Sequence, residues 1–205
     1  MKYQSEQEVF WTEDFSDSYI QRNRSIQLLV SNIQFFSKIF SSTVKIESVL
    51  EYGANIGMNI MAMKKLLPSA KFSAVEINPN AKQHLESLGC ENVYIESILN
   101  FSPKNKYDFV LSKGLLIHIN PDFLEKAYKV IYEASDRYIC LAEYYNPSPV
   151  SIPYRGHDNK LFKRDFCGEM LDAYPNLQLV DYGFSYHRDN HFPQDDITWF
   201  LLEKR

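Results

Sequence analysis

Residues 49 to 59 read Val-Leu-Glu-Tyr-Gly-Ala-Asn-Ile-Gly-Met-Asn, and Glu76 follows the second of these glycines by nineteen residues, closing the run Phe-Ser-Ala-Val-Glu. An apolar strand, a glycine turn, a helix start and a second strand ended by an acid form the skeleton of a nucleoside-binding βαβ unit. Ile46 to Leu50 is expected to be the first buried strand. Gly53 would let the chain turn with positive φ, and Gly57 would let the next helix pack closely. Glu76 would then offer a carboxylate that accepts hydrogen bonds from both hydroxyls of a ribose. Two glycines alone would mark only a turn and a packing site. The spaced acid and the flanking strands argue for an adenosine-type ligand.

Two cofactors compete, a dinucleotide and S-adenosylmethionine (SAM). A dinucleotide needs bare backbone at the second position of Gly-x-Gly-x-x-Gly, where the pyrophosphate touches the chain. Here that position is Asn55, and the third glycine position is Met58. Asn tolerates left-handed geometry, but its side chain would fill the space of the phosphates. Glu51 would repel a pyrophosphate, yet it can pair, directly or through water, with the amine of a methionine. Both residues favour SAM.

Other residues have the types that chemistry uses. His118 follows a strand and precedes a helix start, so it is expected at the crevice rim, where a neutral imidazole can take a proton from a hydroxyl or amine. Packing beneath the following helix is the alternative. Residues 144–165 carry Pro147, Pro149, Pro153 and Gly156 and read as a long loop rather than helix or strand. The loop holds Tyr144, Tyr145, Asn146, Tyr154, Arg155, His157 and Lys160. Of these, Tyr144, Asn146, Tyr154 and His157 join His118 as candidate catalytic groups, since aromatic faces stabilise a sulfonium and polar groups orient an acceptor. A surface loop held down by tyrosine packing is the competing reading. Tyr19, Arg22 and Asn23 share one helical turn, and Arg22 could clamp a carboxylate or simply be an exposed charge. Tyr186 to Asp189 is expected to be a solvated hairpin tip, with contact to an acidic substrate the alternative, and Trp11 and Phe15 are expected to pack a lid rather than touch the cofactor.

These groups need a scaffold. Residues 6–40 read as two helical pieces, the second starting near Asp17 or Ser18 and placing Ile26, Leu29, Ile33 and Phe36 at helical spacing. A helix is expected over 56–67, stopped by Pro68, and another from Asn78-Pro79 to Gly89. Short strands are expected at 93–95 and 107–111, a helix from Asn120-Pro121 to Ala134, and a strand over 137–142. The alternation implies a parallel sheet covered on both faces. Runs 177–186 and 197–202 lie without a helix between them and read as an antiparallel hairpin. Residues 1–43 are expected to form an N-terminal helical lid and 44–205 one compact cofactor-binding unit.

Composition sets the remaining limits. The 205 residues are 45% apolar, enough for one globular domain. A formal charge of −4 argues against a nucleic-acid partner, which wants a basic face. Cys90, Cys140 and Cys167 lack metal-site spacing, so no metal is expected and reduced thiols in a cytoplasm fit best. No signal peptide is read at the start, and no apolar run approaches the roughly eighteen residues of a membrane span.

The whole pattern resembles the class I SAM-dependent methyltransferases, whose Rossmann-like seven-stranded, mostly parallel sheet has its last strand inserted antiparallel. Four elements over about 44–205 carry the resemblance: Glu51-Tyr-Gly-Ala-Asn-Ile-Gly57, Glu76, Ser97-Ile98, and the stretch from Tyr107 to His118. The resemblance implies that Glu76, with Ile77 beside it, binds the ribose. It implies that Ser97 and Ile98 flank the adenine, and that Ser112, Lys113 and Gly114 line the methyl-transfer pocket. Asn55 departs from the glycine of many relatives. The cofactor set expected from all these arguments is Tyr19, Arg22, Glu51, Gly53, Asn55, Gly57, Glu76, Ile77, Ser97, Ile98, Ser112 and Lys113. A narrower resemblance, to the pseudaminic acid biosynthesis-associated methylases, rests on Phe10 to Asn23 and Tyr154 to Asp165. It implies a small-molecule acceptor such as a sugar or amino-sugar intermediate. Three other readings stay open: a SAM-consuming cyclisation that expels methylthioadenosine, a non-catalytic SAM-binding partner subunit, and a dinucleotide oxidoreductase.

Overall fold

The sheet order decides where a ligand can sit. In the computed structural model, which describes residues 3–12 and 25–205, seven strands run β3-β2-β1-β4-β5-β9-β8. They are β1 (Ser48–Tyr52), β2 (Lys71–Glu76), β3 (Asn92–Ile95), β4 (Tyr107–Lys113), β5 (Ser135–Glu143), β8 (Leu177–Ser185) and β9 (Ile197–Lys204). The first five are mutually parallel, and β9 inserts antiparallel between β5 and β8. β1 has β2 on one flank and β4 on the other, so the order reverses there. A crevice opens at the carboxyl ends of those strands, the standard ligand position of open α/β sheets.

Helices cover both faces because the parallel strands are apolar on both. Val49, Phe109 and Leu111 bury against α2 (Ile26–Phe40), α3 (Met58–Leu66) and α4 (Lys82–Ser87). Leu50, Tyr52 and Val110 bury against α5 (Leu124–Ala134) and α6 (Phe166–Ala173). α2 turns Phe35, Phe36 and Ile39 to the sheet, all fully buried. Its backbone is extended at Ser25, whose hydroxyl accepts from the Leu28 N–H at 3.0 Å. That cap starts the helix at Ile26, because a serine cap supplies the partner the first-turn amides lack; the expected start near Asp17 or Ser18 lies outside the described residues. The short α1 (Glu6–Phe10) is closed by a Ser5/Glu8 capping box.

Residues 144–165 do not form a plain loop. β6 (Val150–Tyr154) and β7 (His157–Lys163) pair as a separate antiparallel hairpin. Arg155 and Gly156, both at positive φ (51° and 85°), make its two-residue turn. Pro153 is tolerated because it falls at a register irregularity in a two-stranded ribbon, where no central ladder needs its missing N–H. α6 follows at once, with Asp165 accepting from the Gly168 N–H at 2.8 Å. No described helix is long and apolar enough to cross a membrane.

Candidate cofactor and active site

The carboxyl ends of β1 to β4 and the loops after them bound a cavity of about 300 Å³, at the lower end of ordinary ligand pockets. Gly53 to Ile56, Met58 and Asn59 enter from the turn after β1, and Glu76, Ile77 and Asn78 from the end of β2. Glu96, Ser97 and Ile98 follow β3, and Lys113, Gly114, Leu115, His118 and Ile119 come from the end of β4. α1 and α2 close the cavity with Gln7, Glu8, Leu28 and Asn32, and Trp11 beside α1 adds its ring.

The turn after β1 is held by the acid at the end of β2. The Asn55 N–H donates to Glu76 Oε2 at 2.7 Å and the Asn78 N–H donates to Oε1 at 2.8 Å. Burial pushes the Glu76 carboxyl up, while the amides of Asn78, Asn55 and Ile77 hold it partly down. Each oxygen keeps a second lone pair for a ligand hydroxyl. Asn55 sits at φ 49°, the left-handed region, which Asn tolerates better than most residues with a side chain. Gly53 (φ 69°) has Leu115 where a Cβ would point, 3.1 Å away. Gly57, at φ 82°, starts α3 but does not line the cavity; a Cβ there would collide with Leu88 and lie 3.1 Å from Leu85.

Glu51, expected to pair with a methionine amine, lies beneath the turn with no exposure and does not line the cavity. Its Oε1 accepts from Asn59 Nδ2 at 2.6 Å, and burial raises its pKa to about 8. Strand alternation aims residue 51 inward, and its partner Asn59, the second residue of the next helix, lines the cavity. Ser112 is likewise buried behind the wall, donating to Glu143 Oε1 at 2.8 Å. Glu143 had no sequence signal. Its carboxylate also accepts from the amides of Leu115 (3.2 Å), Leu116 (3.1 Å) and Ile117 (3.4 Å), so it fixes the loop that carries His118. Burial raises its pKa to about 7.

His118 is inside the cavity wall and buried. Its Nδ1 lies 2.7 Å from the Lys160 carbonyl oxygen. A carbonyl only accepts, so Nδ1 carries the proton and Nε2 holds a free lone pair. Burial lowers the imidazole pKa to about 4, which keeps the ring neutral near pH 7. Trp11, expected to pack rather than touch the cofactor, lines the cavity with its ring centroid 4.6 Å from that of His118. Tyr154 is 5.0 Å from His118 on ring centroids but does not line the cavity. Tyr144, Asn146 and His157 also stand outside the wall. Tyr144 lies under the Lys163 ammonium, Asn146 donates to the Ser148 carbonyl at 2.6 Å, and exposed His157 meets Phe10. Of these three, only His157 belongs to the β6–β7 hairpin, where it pairs with Tyr154. Tyr19 and Arg22 lie outside the described residues.

The β8–β9 connection is more than a solvated tip, since His187, Pro193, Gln194 and Asp195 all line the cavity. Gln194 anchors it, donating to Asn32 Oδ1 at 2.8 Å. Among the described residues no cluster of His, Cys, Asp or Glu is arranged to hold a metal.

No protein-family model matches the sequence, and no curated protein matches it in sequence. Solved structures match strongly. The 1,6-didemethyltoxoflavin-N1-methyltransferase of Burkholderia thailandensis, solved with S-adenosylhomocysteine (SAH), superposes with a TM-score of 0.68 at 14% identity, over 96% of this chain and 84% of that one. The magnesium protoporphyrin IX methyltransferase of Synechocystis, also solved with SAH, gives 0.67 at 11% identity over 98% and 100%. A plantazolicin methyltransferase with SAH gives 0.63 at 15% over 97% and 94%. This is the class I SAM-dependent methyltransferase fold. In this fold the β6–β7 hairpin carries Lys160, whose carbonyl holds His118.

Proposed function

We propose that the protein is a SAM-dependent methyltransferase of the cytoplasm that acts on a hydroxyl or amine of a small molecule, of the sugar or amino-sugar kind. The single observation that carries this reading is the pairing, in one cavity of this fold, of Glu76 with a neutral, single-tautomer His118. The residues fit SAM: Glu76 has lone pairs to spare for two hydroxyls, and Asn55 puts a side chain where a pyrophosphate would need bare backbone. Glu76 would hold the ribose, Ile77, Ser97 and Ile98 would flank the adenine, and Gly53 and Asn55 would cradle the sugar. SAM supplies a methyl group activated on a sulfonium.

The chain's own part is positioning and proton removal. Holding nucleophile and methyl carbon in line near contact distance supplies most of the acceleration. His118 Nε2 would take the proton of an acceptor hydroxyl, its orientation held by Lys160 and its loop by Glu143. Trp11 would close the cavity beside it, and Tyr154 would buttress the imidazole. Residues 1–43 would act as the cover over the unit formed by 44–205. The sugar context draws on the likeness of Phe10 to Asn23 and Tyr154 to Asp165 to the pseudaminic acid-associated methylases. The cytoplasmic placement draws on free thiols at all three cysteines.

The test is calorimetry with SAM, SAH and NAD, followed by mass spectrometry of SAM incubations. SAH formed only with an added acceptor supports transfer. Methylthioadenosine formed from SAM alone would replace transfer with cyclisation, and binding of NAD without SAM would end the proposal.

A further inference from the structure

Two oxygens in the cover of the cavity are buried without a hydrogen-bond donor. Gln7 and Glu8, neighbours on α1, both line the cavity and are only 3% and 5% exposed. Gln7 Nε2 donates to the Asn159 carbonyl at 2.9 Å and, at 3.4 Å, to Glu6 Oε1. A carbonyl only accepts, so the amide cannot be turned over, and Oε1 is the atom left. Glu8 Oε2 accepts from the backbone N–H groups of Gln4 and Ser5, the latter at 3.1 Å, which leaves its Oε1. Both remaining oxygens are buried with no partner among the described residues. Buried polar atoms in that state are rare and costly, and a donor on an entering ligand relieves them. Their place in the fold narrows the ligand. Asn159 precedes Lys160, whose carbonyl holds His118 and whose ammonium pairs with Glu6 Oε1 at 3.0 Å. Trp11, three residues beyond Glu8, stands against the His118 ring. α1 thus sets its two oxygens on the side of the cavity that His118 occupies.

We propose that Gln7 and Glu8 recognise the methyl acceptor, and that this acceptor carries a protonated amine beside a hydroxyl. The amine lies between the Glu8 carboxylate and the Trp11 ring, and a hydroxyl of the same molecule donates to Gln7 Oε1. The inference rests on the SAM reading above and narrows its acceptor to the amino-sugar kind over neutral or acidic sugars. A carboxylate and an indole face one helical turn apart both favour a cation. An anionic group would instead meet the lone pairs of Gln7, Glu8 and His118. The protonated amine has no lone pair with which to attack a sulfonium, so it anchors the molecule and a hydroxyl is the group methylated. That hydroxyl faces His118 Nε2, whose lone pair is free because Nδ1 is committed to Lys160.

The test is calorimetry of the SAH-saturated full chain with three sugars on one ring: glucosamine, glucose and glucuronate. Wild type is expected to bind glucosamine at least about tenfold more tightly than the other two, the scale of one charged hydrogen bond. Glu8→Gln keeps the capping box, which accepts Gln in place of Glu, but turns an N–H toward the ligand. It should abolish the preference for glucosamine over glucose and leave SAH affinity as in wild type. Gln7→Met should weaken glucosamine and glucose alike. Equal binding of glucosamine and glucose by wild type, no binding of glucosamine, or an unchanged preference in Glu8→Gln would each overturn the inference while SAH still binds. A matching loss of SAH affinity in both variants would also overturn it, since α1 would then serve the cofactor. A wild type that does not bind SAH would instead sink the SAM reading itself.

Discussion

The backbone N–H of Asn55 donates a 2.7 Å hydrogen bond to Oε2 of Glu76, joining the turn after β1 to the acid at the end of β2. The acid therefore has two tasks, shaping the turn and facing the cavity. Glu76→Ala should weaken SAH binding by about 1–3 kcal/mol, as expected for lost hydrogen bonds to a charged group. Two orphaned amides should also lower its melting temperature. Calorimetry and thermal melts on the same sample check both, and unchanged affinity would remove Glu76 from the site.

His118 makes a kinetic and a thermodynamic prediction. With a hydroxyl acceptor, His118→Gln should lower kcat by roughly 10²–10⁴-fold, the usual contribution of a positioned base. With the pKa at about 4 instead of the ordinary 6.5, the folded chain binds fewer protons than the unfolded chain between those values. Stability from this group is then complete above pH 6.5 and is lost as pH falls toward 4. Denaturation of wild type and His118→Gln across that range should show the wild type losing more stability toward acid than the variant.

Glu51 has the opposite sign. Its carboxyl is raised by burial to about 8 from 4.5, so the folded chain keeps a proton that the unfolded chain releases in that window. Stability from this group declines as pH rises from 4.5 toward 8. Glu51→Gln, which keeps an oxygen for Asn59, should flatten that decline and leave SAH affinity unchanged. A large loss of SAH affinity would restore Glu51 to the binding wall.

Gly57→Ala tests the turn as architecture. Left-handed backbone costs a residue with a Cβ about 1–2 kcal/mol. The collision with Leu88 adds overpacking of about 1–3 kcal/mol. Urea denaturation should show the sum, and a loss below about 1 kcal/mol would mean that α4 moves aside freely.

Much of the scaffold was legible because the signals are local. Asn78-Pro79 and Asn120-Pro121 do start helical turns, and Asn78 and Asn120 cap them with their side-chain oxygens. The β6–β7 hairpin was hidden by three prolines, and α6 by its shortness, although Asp165 before Phe166 and Met170 was a readable cap and stripe. Trp11 and the β8–β9 connection were read as packing and tip because nothing near them in sequence says what they close over.

By itself the sequence determined the alternation of the parallel strands and their helices, the glycine turn and the acid that follows it, since each depends on residues within a few positions of one another. Tertiary structure alone decided which polar groups face the cavity. Glu51 and Ser112 went under the wall, Lys113 and Asp195 came into it, and a carbonyl 42 residues away chose the tautomer of His118. The physical reason is that side-chain accessibility and partner choice are set by contacts between elements distant in sequence, and no local pattern encodes them.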